Sequence, residues 1–236
     1  MLTRIFFTLA PAVFMSPAIS ESDAPEGGRR RPSQLRSQRR VAAILDAAAA
    51  EIVDAGGVDG ATTQAIAKRA RTSVGSIYQF FPNREGVVRA LAARYLAELR
   101  RVYEAALSFD AVSLPVEELI ARVVEPLAAF HTRNPAYPYV YHATSAPGAP
   151  GASAGPEREF KDAVLRLAAG MIAARAPHVA PARAAGHAAL VLETMHAVLR
   201  ASVGLPAAER AAMARELTRM LTLYAADVEA PPRRRS

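Results

Sequence analysis

The sequence predicts an all-α protein. Of its 236 residues 51% are hydrophobic, but much of that fraction is alanine, which favours helix over sheet. Apolar residues recur at three- and four-residue spacing in one segment after another, the period of a single helical face. Strand-like alternation is missing, as are tryptophan and long β-branched runs. A chain of this length buries a sizeable core, as one large domain or two small ones.

The first twenty residues, "MLTRIFFTLAPAVFMSPAIS", carry Arg4, an apolar run from Ile5 to Val13 and small residues near Ala18–Ser20. That order resembles a weak secretory signal. The run is short, is interrupted by prolines and cannot span a bilayer as a regular helix. A disordered extension, translated from a start codon upstream of the functional one, is the preferred reading. Residues 20–38 are polar and Gly/Pro-containing, so 1–38 reads as a disordered extension ending in a basic arm. Arg29, Arg30, Arg31, Arg36, Arg39 and Arg40 carry no interleaved acid. Such runs are usually just solvated, but a place directly before the first helix suits phosphate or minor-groove contacts.

A helix is expected from about Arg39 to Ala55, with Val41, Ile44, Leu45, Ala48, Ile52 and Val53 on its apolar side and Gly56-Gly57 ending it. Thr62 can cap a short second helix with Ile66, Ala67 and Ala70 inward. Ser73 can cap a third, with Ile77, Phe80 and Phe81 inward, before Pro82-Asn83 breaks the chain. A long helix follows to about Leu107, striped by Leu91, Tyr95, Leu99 and Val102. The next starts at Pro115 and reaches Thr132, with a bend expected at Pro126. "NPAYPYVYHAT" is a short aromatic element, and Ser145–Pro156 a mobile low-complexity loop. Further helices read about Glu157–Ala174, Pro181–Val203 and Ala207–Asp227, about nine in all.

Charge narrows the function. There is no cysteine, so a disulfide scaffold and a zinc site with thiolate ligands are excluded, and a reducing cytoplasm suits the chain. Residues 29–84 carry a net +6 and the tail "RRRS" another +3, whereas 85–232 balance to zero. A basic segment on a neutral body is the footprint of polyanion binding by one module. That module also has the order short helix, turn, short helix, proline, long helix, which is a helix-turn-helix layout. Its second helix needs small or polar residues on the leading face, since bulky ones would hold it off the base edges. Thr72, Ser73, Val74, Gly75 and Ser76 meet that need, while Tyr78 and Gln79 sit at the border, within reach of phosphates or bases.

The stretch "GATTQAIAKRARTSVGSIYQFFPNREGVVRAL" resembles the DNA-binding signature of the TetR family, the tetracycline-repressor-like regulators. The likeness covers about residues 39–95. It rests on the Thr-Thr cap, the Ile-Ala pair, the Ser-x-Gly-Ser-Ile-Tyr helix and Phe-Pro-Asn-Arg leading into the fourth helix. By position the resemblance puts base reading on Val74, Gly75, Ser76 and Tyr78, and phosphate anchoring on Thr62, Thr63, Gln64, Gln79 and Arg84. Lys68 and Arg71 join the set on charge, and Ser73 as the cap. Arg71 stands where the family has glycine; a positive φ there would strain arginine. The reading set is poor in Arg, Asn and Gln, so thymine methyls and DNA shape are expected to carry much of the specificity.

The resemblance therefore implies three parts beyond the arm: a helix-turn-helix DNA-binding domain at 39–84, a helical ligand-binding and dimerisation domain at 85–228, and a basic disordered tail at 229–236. It implies a homodimer through the last two long helices, with Leu190, Val191, Thr194, Val198 and Ala201 on one and Leu217, Met220, Leu221 and Tyr224 on the other. An ordinary intramolecular core would give the same stripes. It implies a small-molecule inducer, and Tyr103, Phe130, His131, Tyr137, Tyr141, His142, Phe160, Met195 and His196 are candidate lining residues. Ordinary core packing is the favoured account of each aromatic or Met among these, and a pocket so lined would suit a hydrophobic or aromatic molecule. The five histidines show no ligand spacing to one another or to carboxylates, so neither a metal nor a cofactor nor catalysis is expected. The reading is a cytoplasmic, nucleoid-associated repressor of a pseudo-palindromic operator in double-stranded DNA, with no membrane partner. A DNA-binding protein of nucleoid type without a ligand is the alternative. So, if residues 1–20 are a true signal, is a secreted helical binding protein or a small-molecule enzyme.

Overall fold

The protein is described by a computed structural model that covers residues 30–144 and 155–231. Among these are nine α-helices, one 3-10 helix and no strand. In order they are α1 (Arg30–Asp54), α2 (Thr63–Arg69), α3 (Val74–Tyr78), α4 (Arg84–Ala106), the 3-10 helix (Phe109–Ser113), α5 (Val116–Arg133), α6 (Tyr137–Thr144), α7 (Pro156–Arg175), α8 (Pro181–Ala201) and α9 (Ala207–Glu229). The N-terminal segment read as a signal or extension, nearly all of the expected mobile loop and the arginine tail lie outside the described residues.

One expectation is corrected by α1. Residues 30–38, read as part of a disordered arm, are helical. Pro32 is tolerated because it falls in the first turn, where backbone N–H groups have no intrahelical partner. Gln34, Leu35, Arg36 and Gln38 are good helix formers, and residues 34–40 are all exposed. The helix therefore propagates outward from its packed half instead of being held by contacts of its own. At the other end Gly56 takes φ 69°, and Gly57 N–H donates to the Ile52 carbonyl at 2.9 Å. A left-handed glycine that satisfies the last carbonyls is the ordinary way to stop a helix.

The described residues divide into two compact units, 30–97 with 134–144 and 98–133 with 155–231, so that the division falls within α4. In the first, α1 packs on α2 and α2 on α3. Its core includes Ile44, Ile52, Ile66, Ile77 and Leu91, all nearly inaccessible. The Tyr95 ring meets that of Tyr137 edge to face, with centroids 5.8 Å apart. In the second unit α7 packs on α8, α5 on α9, and α8 on both α5 and α9. Val124, Leu127, Phe130, Met195 and Leu199 fill the space between them. Pro126 lies inside α5, which runs on to Arg133. No helix among the described residues is long and apolar enough to cross a membrane.

Candidate nucleic-acid interface and helical cavity

Two side-chain caps set the helix-turn-helix. Thr62 Oγ1 accepts from the Ala65 N–H at 3.2 Å and starts α2. Ser73 Oγ accepts from the Ser76 N–H at 3.1 Å and starts α3. Between them Arg71 has φ 52°, the one positive φ at a described residue other than glycine. The turn closes through Arg71 N–H to the Lys68 carbonyl at 3.2 Å and Thr72 N–H to the Ala67 carbonyl at 3.0 Å. Ile77 is fully buried and Phe81 nearly so, which fixes α3 by its inner face.

That leaves Gly75, Tyr78 and Gln79 exposed, with Val74 and Ser76 half-buried. Tyr78 keeps 52% of its surface although it is a large hydrophobic residue. A Cβ on Gly75 would meet only Ser73 Oγ, at 3.8 Å. Nothing in the chain's own packing requires glycine there. Thr62, Gln64, Lys68 and Arg71 are exposed on the same two helices and their turn.

Two expected phosphate anchors sit differently. Thr63 is buried, at 8% exposure, because positions 63, 66 and 67 share the helical face that Ile66 and Ala67 turn to the core. The Arg84 guanidinium donates to the Asp59 carbonyl at 2.9 Å and faces Asp59 Oδ1 and Glu85 at 3.4 Å, tying the loop before α2 to the start of α4. Spacing also does not reveal which cations are already paired. Arg69 bonds Glu51 at 2.5 Å and also Asp54, and Arg94 bonds Asp46 at 2.5 Å. Lys68 and Arg71 form no ion pair among the described residues.

The second unit holds a partly open cavity of about 100 Å³. Leu107, Ile120, Val124, Leu192, Met195 and Leu221 make much of its wall. Its polar lining is Tyr103, Arg175, His187, Tyr224 and Glu229. Of the nine residues read as candidate lining, only Tyr103 and Met195 are on this wall. Phe130, His131, Phe160 and His196 belong to the same unit but form an aromatic cluster: His196 meets His131 edge to face with centroids 6.0 Å apart, and Phe160 meets Tyr103 likewise at 5.8 Å. Tyr137, Tyr141 and His142 lie on α6 in the other unit, His142 exposed. Aromatic content alone cannot separate wall from core, and the missed wall residues Arg175, His187, Tyr224 and Glu229 come from three different helices.

Tyr103 Oη and His196 Nε2 are 2.7 Å apart. Burial pushes the His131 imidazole down to about 3, with His196 and Arg200 adding to the effect. Burial, then Arg200, pushes His196 down to about 4. Although His196 as a residue is half-buried, its Nδ1 is fully enclosed. Both rings are neutral near pH 7. No group of three or more His, Cys, Asp or Glu among the described residues could hold a metal.

Known proteins share both parts. Residues 44–91 match the family described as bacterial regulatory proteins, tetR family, and residues 115–224 match the tetracyclin repressor-like C-terminal domain. A TetR-like transcriptional regulator from Rhodococcus sp. RHA1 superposes with a TM-score of 0.61 at 18% identity, over 80% of this chain and 96% of that one. The fatty acid degradation regulator FadR from Bacillus halodurans gives 0.53 at 17%, over 76% and 96%. At such identities these neighbours speak to the fold. No curated protein matches. With the capped helix-turn-helix and the helical domain that follows it in sequence both matched, the chain belongs to the TetR family of DNA-binding transcriptional regulators.

Proposed function

We propose that the protein is a homodimeric repressor that leaves its operator when a small hydrophobic molecule occupies the cavity of the second unit. The observation that carries the DNA-reading part is α3: anchored by Ile77 and capped by Ser73, it holds Gly75, Ser76 and Tyr78 outward with no packing role for the glycine side. Thr62, Gln64, Gln79, Lys68 and Arg71 would hold the backbone, and Thr63 and Arg84 would keep the module rigid. Dimerisation is supported by large apolar side chains left in water on the last two helices, Leu190 on α8 and Met220 and Leu223 on α9, exposed by 53%, 46% and 64%. Leu217 and Leu221 of the expected stripe are buried within the subunit and serve its own core. A two-fold dimer would set the two α3 helices one turn of DNA apart, about 34–36 Å, on a pseudo-palindrome.

Release requires the ligand to bind the DNA-incompetent arrangement more tightly than the competent one; equal affinity shifts nothing. The test is retardation of the DNA upstream of the protein's own gene. Sequence-specific binding that Tyr78→Ala removes supports the proposal. Binding that is independent of sequence and steep in salt points to a nucleoid-type protein instead, and no binding by the wild type would falsify the reading.

A further inference from the structure

We propose that the cavity selects an uncharged apolar ligand and rejects the carboxylate or ammonium of the same skeleton, because the polar side chains on its wall are answered from within the protein. This rests on the reading of the cavity as the ligand site. The Arg175 guanidinium donates through Nε to Glu229 Oε1 at 2.5 Å and through Nη2 to Oε2 at 3.0 Å. Its Nη1 donates to the Val112 and Leu114 carbonyls, both at 2.7 Å. Four of the five N–H donors of an arginine are thereby used. The bidentate carboxylate cancels the charge in a pair whose side chains are only 11% and 27% exposed. His187 Nδ1 and Tyr224 Oη lie 2.5 Å apart, and Tyr103 Oη is 2.7 Å from His196 Nε2.

An anion entering this space meets Leu107, Ile120, Val124 and Met195, and Arg175, the one arginine or lysine among the described wall residues, already holds Glu229. To gain Arg175 it must displace that carboxylate and leave the half-buried Glu229 without its partner, which is unfavourable. An ammonium meets the same obstacle in reverse, since Glu229 is committed to Arg175. A neutral hydrocarbon or ring system has no such conflict, because its transfer from water is favourable throughout. One hydroxyl can donate to a lone pair on Tyr103 Oη or Tyr224 Oη without breaking the existing bonds.

The experiment is calorimetric titration of the full chain at pH 8 with two matched series: 1-octanol, octanoate and octylammonium, and 2-naphthol with 2-naphthoate. The neutral member of at least one series should bind at least tenfold more tightly than its ionised partners. Val191→Phe and Ala168→Phe, either of which fills the cavity, should remove that binding; whichever variant keeps the wild-type melting temperature decides. Glu229→Gln should raise octanoate affinity at least tenfold and leave 1-octanol unchanged, because it frees the charge of Arg175. Octanoate binding as tightly as 1-octanol, or no gain in Glu229→Gln, overturns the charge selection while leaving the cavity as a ligand site. Binding of no probe, or binding that survives both cavity-filling variants, removes the ligand site and the selection with it, and leaves DNA retardation untouched.

Discussion

On the helix-turn-helix, Lys68, Arg71, Tyr78 and Gln79 stand exposed, without side-chain hydrogen bonds to other described residues. Around the cavity, the same kinds of side chain are bonded inward: Arg175 to Glu229, Tyr224 to His187, Tyr103 to His196. Chemical type is therefore a poor guide to role in this protein. What separates the two regions is whether a polar group already has its partner inside the chain. Uncompensated groups in water are cheap to keep and available to a charged polymer. Compensated groups around an apolar space hold the wall together and leave nothing for a charged guest.

The comparison breaks most easily at Gly75. A side chain there has open room in the protein, with the nearest atom 3.8 Å from a Cβ. Gly75→Leu should therefore leave the melting temperature unchanged or slightly raised, since glycine costs a helix about 0.5–1 kcal/mol relative to alanine. Operator binding, read by fluorescence anisotropy, should fall on the order of 100-fold or more, about 2.7 kcal/mol, because the helix can no longer approach the base edges. Normal binding by this variant would show that the exposed face of α3 is not the reading face.

The second unit is sharpened by its histidines. His131 and His196 have folded values near 3 and 4 against about 6.5 in the unfolded chain. Between those limits the unfolded state binds more protons, so stability is complete above about pH 6.5 and declines as pH falls. At pH 5 each ring should cost about 2 kcal/mol relative to pH 7.5. Urea denaturation at the two pH values measures the sum, and His131→Phe should remove about half of the slope. A wild type equally stable at both would mean that these rings find proton partners on folding.

The helices were legible in the sequence because apolar spacing, caps and breakers agree with one another. Thr62 and Ser73 cap as expected, and Gly56 stops α1. The start of α1 was not legible, since a polar run without apolar period looks the same whether it is coiled or propagating from a packed helix. On α3, residue types at fixed spacing marked Gly75 and Tyr78 as an outward surface, and both are exposed. The pairing of Arg69 with Glu51, 18 positions away, has no local signature. The cavity was least legible. Its wall draws on α4, α5, α7, α8 and α9, and only packing decides that Tyr103 faces it while Phe130 does not.

The finest distinction falls on Arg71. Its φ of 52° places a side chain in the left-handed region, which costs an ordinary residue roughly 1 kcal/mol. Glycine escapes that cost but gains freedom in the unfolded chain, which offsets part of the benefit. Arg71→Gly should therefore raise stability by less than about 1 kcal/mol in chemical denaturation. If the exposed guanidinium meets a phosphate, the same substitution should lower operator affinity and flatten the plot of log K against log salt by about 0.9 per subunit. Arg71→Ala separates the two causes, because it removes the charge and keeps the strain. A flatter salt plot in both variants, with a stability gain only in the glycine one, makes Arg71 a residue held in strain for contact with DNA. An unchanged plot in both would leave an uncompensated cation with no anion to meet, and the rule that exposed, unpaired charge marks the DNA face would fail at the residue where it is most specific.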